Sequence, residues 1–103
     1  MSLVVIATVF PRPECREEVV EIFEQTIARV HQDEPGCELY ALHENDDCLV
    51  MIEKWASDEA MAAHGRGTAL AELKSRLEGK LTSPLAGLRL RPHPAGAERQ
   101  GTL

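Results

Sequence analysis

The sequence predicts an α+β domain of the ferredoxin-like type, an antiparallel four-stranded sheet with its helices on one face. The first observation is a set of apolar, strand-length segments bounded by turn residues. The second is a pair of longer segments whose apolar residues recur at helical spacing. The third is the order of these segments, β-α-β-β-α-β, which is the order of this fold.

The chain begins with a strand that leads into a long helix. Residues 3–10 are continuously apolar and rich in β-branched side chains, so we predict a strand covered on both faces. Pro11 and Pro13 end this strand, and Pro13 also suits the first turn of a helix over residues 14–33. The predicted buried stripe of the helix consists of Val19, Phe23, Ile27 and Val30.

A hairpin follows the turn at residues 35–36. We predict its strands over residues 37–43 and 49–55, joined by an Asn-Asp-Asp turn at residues 45–47. Strands 3–10 and 49–55 are both apolar on two faces, although the helices can cover only one. This pattern predicts a homodimer formed through the uncovered sheet faces.

The second helical region has a capped start and an internal break. Ser57 is a predicted N-cap, and the helix reaches His64 about two turns later. The segment Gly65-Arg66-Gly67 interrupts it. Thr68 can then cap a second segment, whose buried stripe consists of Leu70, Leu73 and Leu77. A last strand is predicted over residues 85–91, where Ala86, Leu88 and Leu90 share one face.

Composition limits the class of protein. The chain has 103 residues, with 11 basic and 17 acidic side chains and a net charge of -6, which argues against binding to nucleic acid or to an anionic membrane. No apolar run approaches the about 20 residues of a membrane span. Three cysteines without paired spacing predict reduced thiols, no zinc site and a cytoplasmic location. We expect one domain over residues 1–92 and a flexible tail over residues 93–103.

Four residues are candidates for a site, and each has a structural alternative. His64 can serve as a general base, because an ordinary imidazole has a pKa of about 6.5, or it is simply a hydrogen-bonded histidine. Glu53 lies in an apolar strand and needs either a catalytic cavity or an ion pair with Arg89 or Arg91. Trp55 and Tyr40 can stack on an aromatic substrate or pack in the core.

Several segments together resemble the antibiotic biosynthesis monooxygenase (ABM) domain family of dimeric α+β barrel proteins. These segments are VVIATVFPRP, EPGCELYAL, LVMIEKWASDEAMAAH and LRLRP. The likeness is greatest to quinol-monooxygenase-like members, which share the strand VMIE-x-W, the capped helix and its histidine. It implies a homodimer and, in the enzymatic members, an oxygenase that needs no metal, flavin or haem.

The resemblance also implies a substrate class and site residues. Its enzymes combine O2 with a phenol, a quinol or an anthrone-like polyketide. On this reading His64 and Glu53 are catalytic, and Trp55, Tyr40 and Arg91 bind the substrate. The sequence departs from the quinol-monooxygenase pattern at Ala69, where relatives often carry a further histidine. Two alternatives remain: an isomerase or lyase acting on a small carbonyl compound, and a non-catalytic binding or stress-response module.

Overall fold

The structure, a computed structural model, describes residues 2–103, which fold around a four-stranded sheet. A turn of 3-10 helix at Pro13–Cys15 precedes the first α-helix. The elements in chain order are β1 (Leu3–Val9), α1 (Arg16–Asp33), β2 (Cys37–Glu44), β3 (Leu49–Trp55), α2 (Asp58–Gly65), α3 (Thr68–Leu77) and β4 (Ala86–Leu90).

The sheet has the strand order β2-β3-β1-β4, and each neighbouring pair is antiparallel. The helices pack on one face, where alternate residues of β3 are buried together with the apolar stripe of α1. This confirms the predicted ferredoxin-like arrangement. Side chains completely shielded in this core include Trp55, Phe23, Leu49, Met51, Leu73, Val9, Val19 and Val30.

The structure corrects some predicted boundaries. The helix expected from residue 14 begins as an α-helix only at Arg16, because the segment after Pro13 forms a 3-10 turn. The predicted break in the second helical region is confirmed, because α2 and α3 are separate helices, but Gly67 rather than Thr68 is the N-cap of α3. The hydroxyl of Thr68 instead accepts a hydrogen bond from Arg29 at 2.7 Å, so it does not cap its own helix.

Two local predictions are confirmed by hydrogen bonds between side-chain oxygens and backbone N–H groups. The Ser57 hydroxyl accepts from the backbone N–H of Ala60 at 3.1 Å, which caps α2. In the hairpin, the side-chain oxygen of Asn45 accepts from the N–H groups of Asp47 and Cys48 at 2.8 and 2.9 Å. These contacts fix where β3 begins and where α2 starts after β3.

The sheet face away from the helices is also apolar. The register places Ile6 beside Ile52 on one side and beside Leu88 on the other. Leu88 is 60% exposed, and the neighbouring Leu90 is exposed as well. Residues 91–103 lie outside helix and strand, and the carbonyl oxygen of Leu103 accepts a hydrogen bond from Lys54 at 2.9 Å. Within residues 2–103 no helix has the length and apolarity needed to cross a bilayer.

Candidate functional site

A row of residues crosses the sheet on its helix-covered face. The strand register aligns Tyr40 of β2, Glu53 of β3, Val5 of β1 and Arg89 of β4. Because paired residues of antiparallel strands point to the same face, all four side chains are directed towards the helices. Glu53 is only 7% exposed, which makes it a buried carboxyl group under α2 and α3.

His64 reaches this region from the last turn of α2. The residue is 6% exposed, and its Nδ1 lies 2.8 Å from Oε1 of Glu34. Glu34 is the residue at which α1 ends, and its backbone N–H is held by the carbonyl of Val30. An ionised Glu34 can only accept, so a neutral imidazole bonded to it carries its proton on Nδ1 and has its lone pair on Nε2.

Two aromatic side chains support the imidazole from behind. The Trp55 ring stacks on His64 with a centroid separation of 4.4 Å and an interplanar angle of 29°. Tyr40 meets the same imidazole edge-on at 5.3 Å and meets Trp55 at 6.0 Å. Both side chains are almost completely buried. The imidazole is thus held by two rings and one carboxylate, which fixes its orientation.

Glu53 has a hydrogen-bond donor but no counter-ion. Its Oε1 accepts from the indole N–H of Trp55 at 3.0 Å, and within residues 2–103 it forms no ion pair with Arg89 or Arg91. The ion pair with Arg89 or Arg91 that was considered as the alternative is thus not formed in the part of the chain that the structure describes. Burial raises the pKa of Glu53 above its usual value, although the Trp55 hydrogen bond and the nearby His64 act in the opposite direction. Burial, reinforced by Glu53, likewise raises the pKa of the Tyr40 hydroxyl.

Glu53 and His64 line one cavity of about 270 Å³ between the sheet and the second helical region. Its apolar wall consists of Val5, Ala7, Met61, Leu70 and Leu85, and its charged wall also includes Lys74 and Arg89. A larger cleft of about 500 Å³ lies between α3 and the loop before β4, but neither Glu53 nor His64 lines it.

The structure separates the predicted site residues into three positions. Glu53 and His64 share the cavity, whereas Trp55 and Tyr40 lie behind His64 and do not line it. Arg91 follows the end of β4, is exposed and lies outside the cavity. Arg89 has the position in the cavity instead.

Sequence reasoning missed Glu34 as the partner of His64. The residues are separated by 30 positions, and Glu34 is one of many carboxylates in and after α1. No sequence pattern indicated this contact; in the structure the chain turns at Gly36, where a Cβ atom would collide with Ala60 of α2. This close approach brings the end of α1 next to α2. In the part of the chain that the structure describes, no three His, Cys, Asp or Glu side chains form a group that could hold a metal ion.

This geometry can perform proton transfer. A buried histidine with one ring nitrogen held by a carboxylate presents its other nitrogen as a base of defined orientation. A neighbouring carboxyl with a raised pKa can donate a proton or a hydrogen bond. Fold and site thus define a ferredoxin-like α+β domain with a polar cavity suited to proton transfer on a small molecule.

Comparison with known proteins then places the chain in a family. The family model described as antibiotic biosynthesis monooxygenase matches residues 2–75. The chain belongs to this family. The matched segment contains Glu34, Glu53 and His64, whereas β4 and its arginine lie beyond it.

Solved structures share the fold. The protein Rv0793 of Mycobacterium tuberculosis is 26% identical, with a TM-score of 0.84 over 94% of this chain and 100% of its own. PA3566 of Pseudomonas aeruginosa is 25% identical, with a TM-score of 0.76 over 86% of this chain and 91% of its own.

A Caulobacter crescentus protein, whose name gives antibiotic biosynthesis monooxygenase as a provisional function, is 23% identical. Its TM-score is 0.81 over 86% of this chain and 87% of its own, and at this identity the likeness shows the fold alone. No protein with a curated description matches the chain significantly in sequence.

Proposed function

We propose that the protein is a monooxygenase that oxidises a quinol, a phenol or a polyketide-like aromatic with O2, using electrons from the substrate itself. The observation that carries this proposal is His64, buried at a cavity and bound through Nδ1 to Glu34. Family membership supports the class of reaction.

The first step is removal of the hydroxyl proton of the substrate by Nε2 of His64. A base positioned in this way contributes typically about 10²- to 10⁴-fold in rate. Glu34 keeps the proton on Nδ1 and stabilises the imidazolium that forms. The Trp55 and Tyr40 rings prevent the imidazole from turning away, so we assign them to orienting His64.

The remaining steps conserve atoms and electrons. The phenolate transfers one electron to O2, and the aryloxyl radical and superoxide then combine to form a carbon–oxygen bond. The peroxide anion takes a proton from the His64 imidazolium; the oxygenated ring carbon then loses its hydrogen as a proton, the O–O bond breaks, a carbonyl forms at that carbon, and the released hydroxide takes up a proton and leaves as water. For a naphthalenediol the product is a hydroxynaphthoquinone, so one oxygen atom enters the ring and the other becomes water.

We assign Glu53 the role of a hydrogen-bond donor in this reaction. Because burial raises its pKa, a larger fraction of Glu53 is protonated than of an exposed glutamate at the same pH. A neutral carboxyl facing the cavity can donate a hydrogen bond to the peroxide or to the quinone oxygen as charge develops there. For Arg91, contact with the substrate stays a prediction, since this residue is exposed outside the cavity.

We also propose a homodimer through the apolar outer face of the sheet. The side chains that support it are Ile6, Ile52, Leu88 and Leu90, which form a patch across β3, β1 and β4. Burial of such a patch against its symmetry mate gives an interface resembling a domain core. Light scattering at micromolar concentration should give twice the mass of the 11.4 kDa chain.

Oxygen consumption tests the proposed reaction. The protein is mixed with a naphthalenediol, and O2 uptake is measured with an oxygen electrode above the rate of spontaneous oxidation. We expect uptake that saturates with substrate and falls at least about 100-fold in His64→Gln. Saturating binding with turnover of a carbonyl compound but no O2 uptake would indicate an isomerase or lyase, and a co-purified ligand without turnover would indicate a binding module.

A further inference from the structure

The cavity that contains His64 also has two cationic side chains from separate elements. Lys74 is on α3 and Arg89 is on β4, and both are exposed while lining the cavity. Within residues 2–103, neither forms an ion pair with a carboxylate. Of the 11 basic side chains, Arg16, Arg29 and Lys80 form such pairs within residues 2–103, and the others, including Lys74 and Arg89, do not.

This pair of cations stands out against the charge of the whole protein. The chain has a net charge of -6, so its average field repels anions. Lys74 and Arg89 come from separate elements and line one cavity, so they provide positive charge there for an anionic ligand. An arginine guanidinium binds a carboxylate through two parallel hydrogen bonds, and a lysine adds a point charge.

The rest of the cavity limits the ligand to a small aromatic body. Its apolar wall includes Val5, Leu70 and Leu85, which suits the face of a ring. Its volume of about 270 Å³ is just below the range of small-molecule sites, which run from about 300 Å³ upwards. One ring or two fused rings fit this volume.

We infer that the substrate is an aromatic anion, a phenol or quinol whose ring system carries a carboxylate bound by Lys74 and Arg89 while its hydroxyl faces His64. This inference rests on the proposed function for the hydroxyl group that faces His64, and it adds a carboxylate elsewhere on the same ring system.

Binding of two matched ligands tests this inference. One is a hydroxynaphthoate with its hydroxyl and carboxylate on different rings, and the other is naphthol, which lacks the carboxylate. Isothermal titration calorimetry measures both dissociation constants with O2 excluded. We expect the native protein to bind the hydroxynaphthoate about tenfold more tightly than naphthol, and this preference to shrink at about 0.5 M salt.

The variants Lys74→Met and Arg89→Gln locate the effect. Each should lose part of the preference, and the double variant should bind both ligands equally while its affinity for naphthol stays within about twofold. The control Arg99→Gln removes the same charge from the tail and should keep the native preference. Thermal unfolding checks that every variant is folded.

Three results would overturn the inference: equal affinities in the native protein, a preference retained by the double variant, or no binding of either ligand at about millimolar concentration. Failure of the oxygenase proposal is a separate result. Selective binding of the hydroxynaphthoate without O2 uptake would leave the anion site standing and refute the reaction.

Discussion

Replacing Glu34 by glutamine tests whether the carboxylate that holds His64 matters for proton transfer. The side chains of His64 and Glu34 are only 7% and 19% exposed, and their 2.8 Å contact is a charge-assisted hydrogen bond. Such bonds contribute about 1.5–3 kcal/mol when one partner is charged. The amide of Glu34→Gln keeps the shape but cannot stabilise the imidazolium, and its NH2 group can place the proton on the wrong ring nitrogen.

We expect kcat to fall about 100-fold in Glu34→Gln, which corresponds to about 2.7 kcal/mol of transition-state stabilisation at 1.36 kcal/mol per tenfold. KM should change little, because Glu34 acts through His64 and is absent from the lining of the cavity that contains it. Glu34 is therefore a positioning residue. The melting temperature should fall by about 4–8 °C for each 1 kcal/mol by which the substitution lowers the free energy of unfolding.

The assay is steady-state O2 uptake with an active quinol, accompanied by thermal unfolding of each variant. Glu24→Gln, on the exposed side of α1, is the matched control and should leave kcat and stability near native values. Glu34→Asp should recover part of kcat because it restores a carboxylate. If Glu34→Gln retained native kcat while remaining folded, or if it lowered only stability, the assigned role of Glu34 would be refuted.

Other predictions concern Glu53, the sheet face and the turn at Gly36. Glu53→Gln keeps the acceptor for Trp55 but removes an acid whose pKa is raised by burial. Because the pKa of Glu53 is higher in the folded than in the unfolded protein, where it is 4.5, ionisation of Glu53 destabilises the fold as the pH rises above 4.5. The variant should therefore gain melting temperature over native at pH 7 and lose this advantage at about pH 4, and an advantage independent of pH would contradict the reasoning. Leu88→Glu should convert the proposed dimer into monomers by light scattering, since each buried leucine contributes about 1.5–3 kcal/mol; an unchanged mass would place the interface elsewhere. Gly36→Ala should lower the free energy of unfolding by about 1–3 kcal/mol in urea because its Cβ collides with Ala60, and full native stability would argue against that close approach.

The parts of this protein that could be predicted from sequence are those encoded by local patterns. The fold followed from strand-length apolar runs, helical stripes and their order, and the cap at Ser57 followed from residue type and position. Glu53 and His64 were found because one strand–turn–helix unit contains both. Their common cavity agrees with that expectation of proximity.

The missed features depend on tertiary contacts and register. Glu34 meets His64 only because the turn at Gly36 packs against α2, and no local pattern encodes that contact. Because side chains alternate between the two faces of a strand, the sequence alone predicts Arg89 and Arg91 on the same face of the last strand. The pairing of Arg89 with Val5 places it in the row that contains Glu53, whereas β4 ends before Arg91. Choosing between the two arginines required the strand register.

Labelled dioxygen gives the most direct test of the proposed reaction at His64. The native protein and His64→Gln are incubated with a naphthalenediol under isotopically labelled O2, and the product is analysed by mass spectrometry after correction for spontaneous oxidation. The proposed reaction predicts one labelled oxygen atom in the hydroxyquinone, the other in water, and loss of this product in His64→Gln. A product without label from O2, or equal labelling in both proteins, would contradict it.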